Sequence, residues 1–311
     1  MERPGERGAA TAGPSTLGIL KGLWWMARPL TLVANVLAWT LGVSIALGSG
    51  AAPEPACILW SFSAMLSVSA SIHYTNEYAD HETDALTMRT RYSGGSGVLP
   101  SGIVPRRLAI RAAWASLLLG MGLQLAAILM GVHAWATMAL LLTGAFWGWM
   151  YSLPPLKLAW RGWGEVDNAL LGGTVLPMYA YATVKGRPDP WVAAACLPFT
   201  LLVFTNLMAV NWPDRHADAV VGKMTLATLW PSRRLRLAYG GAAATSFGVL
   251  PLLAGWAMPP MVAVASLAAL PLLLWGVLTY TRRESPDASV YAMVVVMVVQ
   301  ALAWLMNRPL L

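Results

Sequence analysis

Long uninterrupted apolar runs constrain the fold of this chain more than any other feature of its sequence. Nine such runs approach the roughly 20 residues that an α-helix needs to cross a hydrocarbon core of about 30 Å. They are continuously apolar and lack the alternation with polar residues that the strands of a membrane barrel require. The sequence therefore predicts an all-α integral membrane bundle of nine transmembrane helices. The predicted spans are Leu30–Leu47, Ala56–Ile72, Leu108–Met130, Ala134–Met150, Ala169–Ala182, Trp191–Val210, Leu237–Ala257, Met261–Leu278 and Val290–Met306.

Composition and charge distribution agree with a membrane location. Of the 311 residues, 57% are hydrophobic and 11% are charged, whereas about a quarter of a soluble domain is charged. If the N-terminus is cytoplasmic, all but three of the 21 Lys and Arg residues lie on the cytoplasmic side, the exceptions being Lys185, Arg187 and Arg308. We therefore predict a multi-pass protein of the inner (plasma) membrane with a cytoplasmic N-terminus. Its net charge of +7 requires no nucleic acid partner.

The chain divides into a short tail and one domain. Residues 1–16 are rich in Gly, Ala, Pro and charge and predict a disordered tail, and residues 17–311 predict a single transmembrane domain. Cys57 and Cys196 lie inside apolar runs without metal-ligand spacing, so they indicate buried thiols rather than a metal site or a disulfide. The sequence does not indicate an oligomeric state.

Acidic residues are scarce and cluster at the predicted cytoplasmic helix ends. Asn76, Asp80 and Asp84 are four apart, which on a helix places them on one face, about 6 Å apart along the axis. Asp214 and Asp218 repeat this spacing after a later span. Like charges this close repel unless a cation lies between them. Because such oxygen ligands suit Mg²⁺ completed by water and phosphate oxygens, the two clusters predict a magnesium and phosphate site.

Basic residues accompany both clusters, namely Arg89 and Arg91 after the first and Arg215 and Lys223 around the second. Such side chains would bind the remaining oxygens of a diphosphate. A solvated cytoplasmic loop would explain either cluster alone, but two clusters of matching spacing on one side favour a binding site. The glycine-rich segment 93–97 has two interpretations, a backbone cradle for phosphate or a flexible hinge.

Several motifs, taken in order along the chain, resemble the UbiA superfamily of intramembrane prenyltransferases. The first acidic cluster is similar to that family's Asn-Asp-x-x-Asp-x-x-x-Asp signature, with Glu77 in place of the usual Asp. The second cluster is similar to the family's second Asp-x-x-x-Asp motif. Further similar segments are Arg28-Pro29 before the first span, Tyr151-Ser-Leu-Pro-Pro-Leu-Lys157 after the fourth, and Gly222-Lys223-x-Thr225-Leu226-Ala227 after the second acidic motif.

This resemblance implies a cytoplasm-facing cavity in which magnesium holds a prenyl diphosphate. The implied ligands of two Mg²⁺ ions are Asn76, Asp80, Asp84, Asp214 and Asp218. The implied diphosphate-binding residues are Arg89, Arg91, Lys157, Arg161, Arg215 and Lys223. Lys157 would also act catalytically by pulling on the departing diphosphate, and Tyr151 would contact phosphate or acceptor unless it is an ordinary interfacial tyrosine. Loss of diphosphate would leave an allylic cation for an electron-rich acceptor to attack.

The motifs are most similar to the branch that prenylates 1,4-dihydroxy-2-naphthoate in prenylquinone synthesis. Members similar to 4-hydroxybenzoate transferases carry an Asp where this chain has Leu207. Asn211 and the loop Arg161–Glu165 resemble the naphthoate branch, although Pro213 departs from it. Arg28 would receive the carboxylate of the acceptor by a bidentate bond, or it is a cytoplasmic anchor of the first span.

Other functions are consistent with parts of this pattern. A terpene cyclase of the same fold would ionise the same diphosphate and close the cation on itself. The acceptor of a transferase would alternatively be 4-hydroxybenzoate, a glycerol phosphate or a chlorophyllide. A transporter would need ionisable groups near mid-membrane, whereas the acids of this chain cluster at one surface.

Overall fold

The structure, a computed structural model, describes residues 15–87, 89, 91–92 and 94–307. This described part is helical and contains no β-strand. Residues 1–14 of the predicted tail lie outside it, whereas the Ser15 hydroxyl accepts a hydrogen bond from the Gly18 N–H (3.1 Å) and caps the first helix. The helices are α1 (Thr16–Met26), α2 (Pro29–Gly48), α3 (Pro55–Ala79), α4 (His81–Leu86), α5 (Arg106–Leu129), α6 (Trp135–Ser152), α7 (Gly164–Leu170), α8 (Leu176–Lys185), α9 (Pro190–Val220), α10 (Leu226–Leu229), α11 (Ser232–Gly248), α12 (Leu250–Leu253), α13 (Pro260–Ser266), α14 (Leu270–Thr279) and α15 (Asp287–Met306).

All nine predicted spans fall largely within these helices, which confirms the all-α class. Six segments of the described chain are long and apolar enough to cross a bilayer, namely α2, α3, α5, α9, the continuous segment Pro260–Thr279 and α15. The other three predicted spans are less regular. α6 is rich in Trp and Gly, a π-helical turn at Leu171–Val175 separates α7 from α8, and α11 begins with three Arg residues. The number of nine crossings therefore stays a prediction.

Close helix packing surrounds a central space. α2 packs against α8 and α15, α3 against α5 and α6, and α9 against α7, α11 and α15. Gly42 of α2 lies against the backbone of α8, since a Cβ at this position would be 2.0 Å from the Pro177 carbonyl oxygen. Gly120 of α5 also lies close to α3, where a Cβ would be 3.0 Å from the Ala64 carbonyl oxygen. Small residues permit such approaches between membrane helices, so a larger side chain at either glycine would push these helices apart.

The two acidic motifs lie where long helices end on the same side of the bundle. α3 ends at Ala79, and helical hydrogen bonds continue through the bend, from the Asp80 N–H to the Asn76 carbonyl (2.9 Å) and from the Asp84 N–H to the Asp80 carbonyl (2.8 Å). α9 extends well beyond the predicted span and includes Pro213, so the second motif occupies its last turns. Both acidic motifs are therefore helical, as the spacing of four residues predicts.

Candidate active site

A cavity of about 700 Å³ lies between α2, α3, α6, α7, α8, α9 and α15. Both acidic motifs line one end of it, together with Lys223. The wall then becomes apolar, and Met65 lines it about 20 Å along α3 from the acidic end, at a rise of 1.5 Å per residue. The deep end is lined by Leu37, Met65, Leu140, Leu141 and Tyr179. The cavity therefore matches a molecule with a polar head and a long apolar tail.

Asp80 is held by three side-chain donors from different parts of the chain. Its Oδ2 accepts hydrogen bonds from Asn76 Nδ2 (3.0 Å) and Lys223 Nζ (3.2 Å), and its Oδ1 accepts one from Trp160 Nε1 (3.3 Å). Asn76 Nδ2 also lies 3.3 Å from the Ser152 hydroxyl of α6. These contacts fix the carboxylate at the junction of α3, α6 and the segment after α9.

Lys223 joins the first acidic motif to the second. Its Nζ lies 3.2 Å from Asp80 Oδ2 and 3.6 Å from Asp218 Oδ1. The backbone N–H of Lys223 donates to the Asp218 carbonyl (2.8 Å), so the turn that ends α9 directs the chain back over the motif. Burial disfavours the charged ammonium, but Asp80 and Asp218 outweigh this effect and raise the pKa of Lys223. The ammonium is therefore a permanent positive charge between two carboxylates.

Glu77, which stands where the family signature usually has Asp, binds two distant segments of the chain. It is 1% exposed, and its Oε1 accepts hydrogen bonds from Arg28 Nε (2.7 Å) and the Ser96 N–H (2.9 Å). Its Oε2 accepts a short hydrogen bond from the Ser96 hydroxyl. Arg28 has a left-handed backbone conformation (φ 53°) immediately before α2, and its Nη2 lies 4.0 Å from Asp84 Oδ2. Glu77 thus connects the start of α2 to the glycine-rich segment.

Asp84 and the glycine-rich segment lie against each other at the cavity end. Burial raises the pKa of Asp84 to about 7, an effect that Arg28 partly offsets. Gly95 has φ +60°, and a Cβ there would be 1.9 Å from Asp84 Oδ2. Gly94, Gly95 and Ser96 line the cavity, whereas Ser93 lies outside the described residues. This placement is consistent with a phosphate cradle and does not depend on a hinge.

The remaining predicted site residues fall into two groups. Arg28, Arg89, Arg91 and Tyr151 line the cavity. Three other predicted cations do not line it and have different contacts. Lys157 Nζ lies 4.5 Å from the centre of the Trp160 ring. Arg215 donates hydrogen bonds to both carboxylate oxygens of Glu284 (2.8 and 3.0 Å) and stacks on the Trp212 ring. Arg161 is exposed, and its backbone forms an isolated β-bridge with Met224.

Several polar residues that the sequence did not single out also line this cavity. They include Asn168 of α7 and Asn206 of α9, while Trp160 contributes through Asp80. Asp167 is one of the scarce acidic residues but lies outside both acidic motifs. Polar residues within apolar runs, such as Asn206, are the sequence signal that points to such positions. No comparable signal exists for Trp160, since tryptophan is frequent at helix ends in membrane proteins.

The donor chemistry of the acidic end fits Mg²⁺. Asp80, Asp84, Asp214, Asp218 and Asn76 all line it and offer oxygen atoms. Within the described ranges, no three His, Cys, Asp or Glu side chains come close enough together to hold a metal by themselves. Mg²⁺ commonly takes only one or two carboxylates and completes its shell with water and phosphate oxygens. The residues therefore fit a metal that binds together with a phosphate ligand.

Comparisons of the sequence and of the fold with known proteins both find UbiA-type proteins. The profile of the UbiA prenyltransferase family matches residues 36–304. The 1,4-dihydroxy-2-naphthoate octaprenyltransferase of Bacillus subtilis (strain 168) is 23% identical over 223 residues, 72% of this chain and 70% of the relative. The chloroplastic chlorophyll synthase of Arabidopsis thaliana is 27% identical over 154 residues, 49% of this chain but only 38% of that enzyme. A solved UbiA homologue from Archaeoglobus fulgidus bound to DMAPP and Mg²⁺ superposes with a TM-score of 0.67 at 17% identity, covering 95% of this chain and 99% of the other.

Proposed function

The chain belongs to the UbiA prenyltransferase family, and from this membership we propose that it transfers a polyprenyl group from its diphosphate to 1,4-dihydroxy-2-naphthoate. Prenyl transfer follows from the family, and the acceptor is the finer part of the proposal. The observation that supports it best is the division of the cavity between an acidic end with Lys223 and a long apolar remainder. A prenyl diphosphate has a matching division, because its diphosphate would bind at the acidic end through Mg²⁺ and Lys223 and its hydrocarbon chain would lie along the apolar wall.

The chain's own cations would bind the diphosphate at the acidic end. Arg89, Arg91 and Lys223 line that end and offer positively charged donors to phosphate oxygens. Gly94 and Gly95 would add backbone N–H groups from the segment that lies against Asp84. When bound through Asn76, Asp80, Asp84, Asp214 and Asp218, Mg²⁺ would neutralise negative charge on the departing diphosphate.

The apolar wall would hold the prenyl tail and keep water from the allylic carbon. Leu37, Leu140 and Leu141 are hydrocarbon side chains and provide no nucleophile. A reactive cation formed at the junction of the two regions would therefore meet the bound acceptor rather than water. Tyr151, which lines the same junction, would contact the diphosphate or the acceptor.

Three observations support a hydroxynaphthoate as the acceptor. The Bacillus subtilis relative acts on this compound by its name, and the similarity extends over most of both chains. Leu207 lines the cavity with an apolar side chain, which suits a fused two-ring acceptor. Arg28 lines the cavity near the acidic end, and with its Nε bound to Glu77 its terminal Nη groups would bind the acceptor carboxylate.

The acceptor is tested by measuring prenyl transfer with purified protein, Mg²⁺ and prenyl diphosphates of several lengths. We expect kcat/KM for 1,4-dihydroxy-2-naphthoate to exceed that for 4-hydroxybenzoate at least about tenfold, a difference of about 1.4 kcal/mol in transition-state binding. Arg28→Ala should raise the KM of the acceptor more than that of the donor. Selective use of a glycerol phosphate or a chlorophyllide would contradict the acceptor, and a cyclic hydrocarbon formed without any acceptor would favour a cyclase.

The metal site is tested by Asp80→Asn. The variant keeps the shape of the side chain but removes a charged ligand, so turnover should fall about 100-fold or more, because several kcal/mol of leaving-group stabilisation depend on the metal. Glu54→Gln is the matched control, since Glu54 is exposed at the opposite end of α3 and should retain activity. Near-complete activity of Asp80→Asn, or of the wild type with Mg²⁺ chelated, would refute the metal role.

A further inference from the structure

Asp167 is a cavity-lining residue whose carboxylate has a buried oxygen without a hydrogen-bond donor among the described residues. It lies on α7, and this buried oxygen is its Oδ2. Its neighbour Glu165 also has one buried oxygen, Oε2, without a hydrogen bond from the described residues, but its Oε1 accepts hydrogen bonds from Asn211 Nδ2 (3.0 Å) and the Leu226 N–H (2.9 Å). Glu165 therefore braces α7 against α9, whereas Asp167 has no such structural role.

Two contacts define how deep Asp167 lies. Glu165 is level with Asn211, and Gly173 is level with Thr200, where a Cβ on the glycine would be 2.5 Å from the Thr200 Cα. α7 and the π-helical turn therefore run antiparallel to α9, and this register sets Asp167 level with about Met208, the residue next to Leu207. Leu207 is seven residues before Asp214, about 10 Å along the helix axis. The carboxylate is thus on the inner side of the acidic end, where the head of a bound prenyl diphosphate would give way to its tail.

The surroundings of Asp167 also suit a bound polar ring. Asn168 and Asn206 line the same cavity, and Asn206 Oδ1 is buried without a hydrogen bond from the described residues. Buried polar atoms are normally hydrogen-bonded, and exceptions indicate a site that a ligand completes. The π-helical turn at Leu171–Val175 follows directly, and such turns are frequent at functional sites.

We propose that Asp167 is a catalytic residue that accepts the hydroxyl proton of the aromatic acceptor during prenyl transfer. This inference rests on the proposed function, because it presumes a hydroxylated aromatic acceptor. Burial raises the pKa of Asp167 to about 7, a value suited to exchanging a proton near neutral pH.

The step balances as follows for a hydroxylated ring. The acceptor O–H bond breaks, and its proton passes to the Asp167 carboxylate. The oxygen electron pair moves into the ring, and a ring carbon forms a C–C bond to the allylic carbon of the donor. The bond between that carbon and the diphosphate oxygen breaks, and its electron pair leaves with the diphosphate. The products are the prenylated ring in its keto form, diphosphate and protonated Asp167.

The test compares Asp167→Asn with the wild type, using 1,4-dihydroxy-2-naphthoate as acceptor. We expect kcat to fall about 100-fold or more, the usual range for loss of a general base, while the KM of the prenyl diphosphate and the melting temperature stay unchanged. The loss should shrink along a series of ring-substituted acceptors with increasingly acidic hydroxyls, because these need less help to ionise. Asp167→Glu should restore part of the activity.

A second variant separates chemistry from folding. Leu207→Asp in the Asp167→Asn background places a carboxylate at a similar level on α9. The kcat of this double variant should be at least about tenfold higher than that of Asp167→Asn alone. If Asp167 were only structural, Asp167→Asn would change the donor KM or the melting temperature, its loss would not vary with acceptor acidity, and the second change would not rescue it. Equal activity of wild type and Asp167→Asn overturns this inference alone, whereas a wild type that prenylates no hydroxylated aromatic compound overturns the proposed function with it.

Discussion

Single carboxylates in this protein have different roles according to their partners. Glu77 and Glu165 are each 1% exposed, accept hydrogen bonds from distant parts of the chain and therefore position other elements. Asp80 and Asp218 share the Lys223 ammonium, which lowers their mutual repulsion. Asp167 has no such partner among the described residues. Residue type alone does not distinguish these roles, because each depends on which donors the fold brings to the carboxylate.

Gly95 is a residue at which one methyl group should disturb the site. Gly95→Ala would place a Cβ against Asp84 Oδ2 and force an L-residue into φ +60°, so the segment must move away from the carboxylate. We expect the KM of the prenyl diphosphate to rise at least about tenfold, with a smaller effect on the KM of the acceptor, as measured by steady-state kinetics.

The control for this prediction is Gly122→Ala, since a Cβ on Gly122 meets no atom within 4 Å and its φ is not positive. This helical substitution should leave both KM values unchanged and stabilise α5 slightly. Equal donor KM values for Gly95→Ala and the wild type would show that the segment does not contribute to diphosphate binding.

At the scale of elements, the apolar runs predicted the helices well because burial in lipid requires every backbone group to be bonded within its own segment. The spacing of four residues also predicted which acids meet. The sequence did not reveal the π-helical turn after α7 or the extension of α9 through Pro213, since both depend on packing against neighbouring helices. Nor did it reveal that Lys157 and Arg215 bind Trp160 and Glu284, because positive charge alone does not specify a partner.

The helices α6 and α8 close the deep end of the cavity, and Tyr179 provides its largest side chain there. Its hydroxyl donates a hydrogen bond to Gln124 Oε1 (2.7 Å), which holds the ring in place. Tyr179→Ala should deepen the cavity, so the preferred donor should lengthen by at least one isoprene unit in a kcat/KM series. Tyr179→Phe is the control, because it removes the hydrogen bond but keeps the ring. An unchanged preference in Tyr179→Ala would mean that this residue does not limit donor length.

At the scale of the whole molecule, the unequal distribution of Lys and Arg predicts how the protein is oriented. In a variant without Cys57 and Cys196, Ala52→Cys marks the connection between α2 and α3, and Ser101→Cys marks the one before α5. We expect a membrane-impermeant thiol reagent to label Ala52→Cys in intact cells and Ser101→Cys only after permeabilisation. The opposite pattern would place the acidic end of the cavity outside the cytoplasm.

The unequal ends of the cavity have a consequence for the direction of the reaction. Diphosphate released from the acidic end enters water, whereas the prenylated product keeps its tail in hydrocarbon, where each methylene is favoured by about 0.8 kcal/mol. The two products therefore part into different phases as soon as they leave the protein. Reversal would require a water-borne ion and a lipid to meet again in the same cavity. The protein, as a catalyst, leaves the equilibrium of the transfer unchanged, and the separation of the two products between water and bilayer is what opposes their recombination.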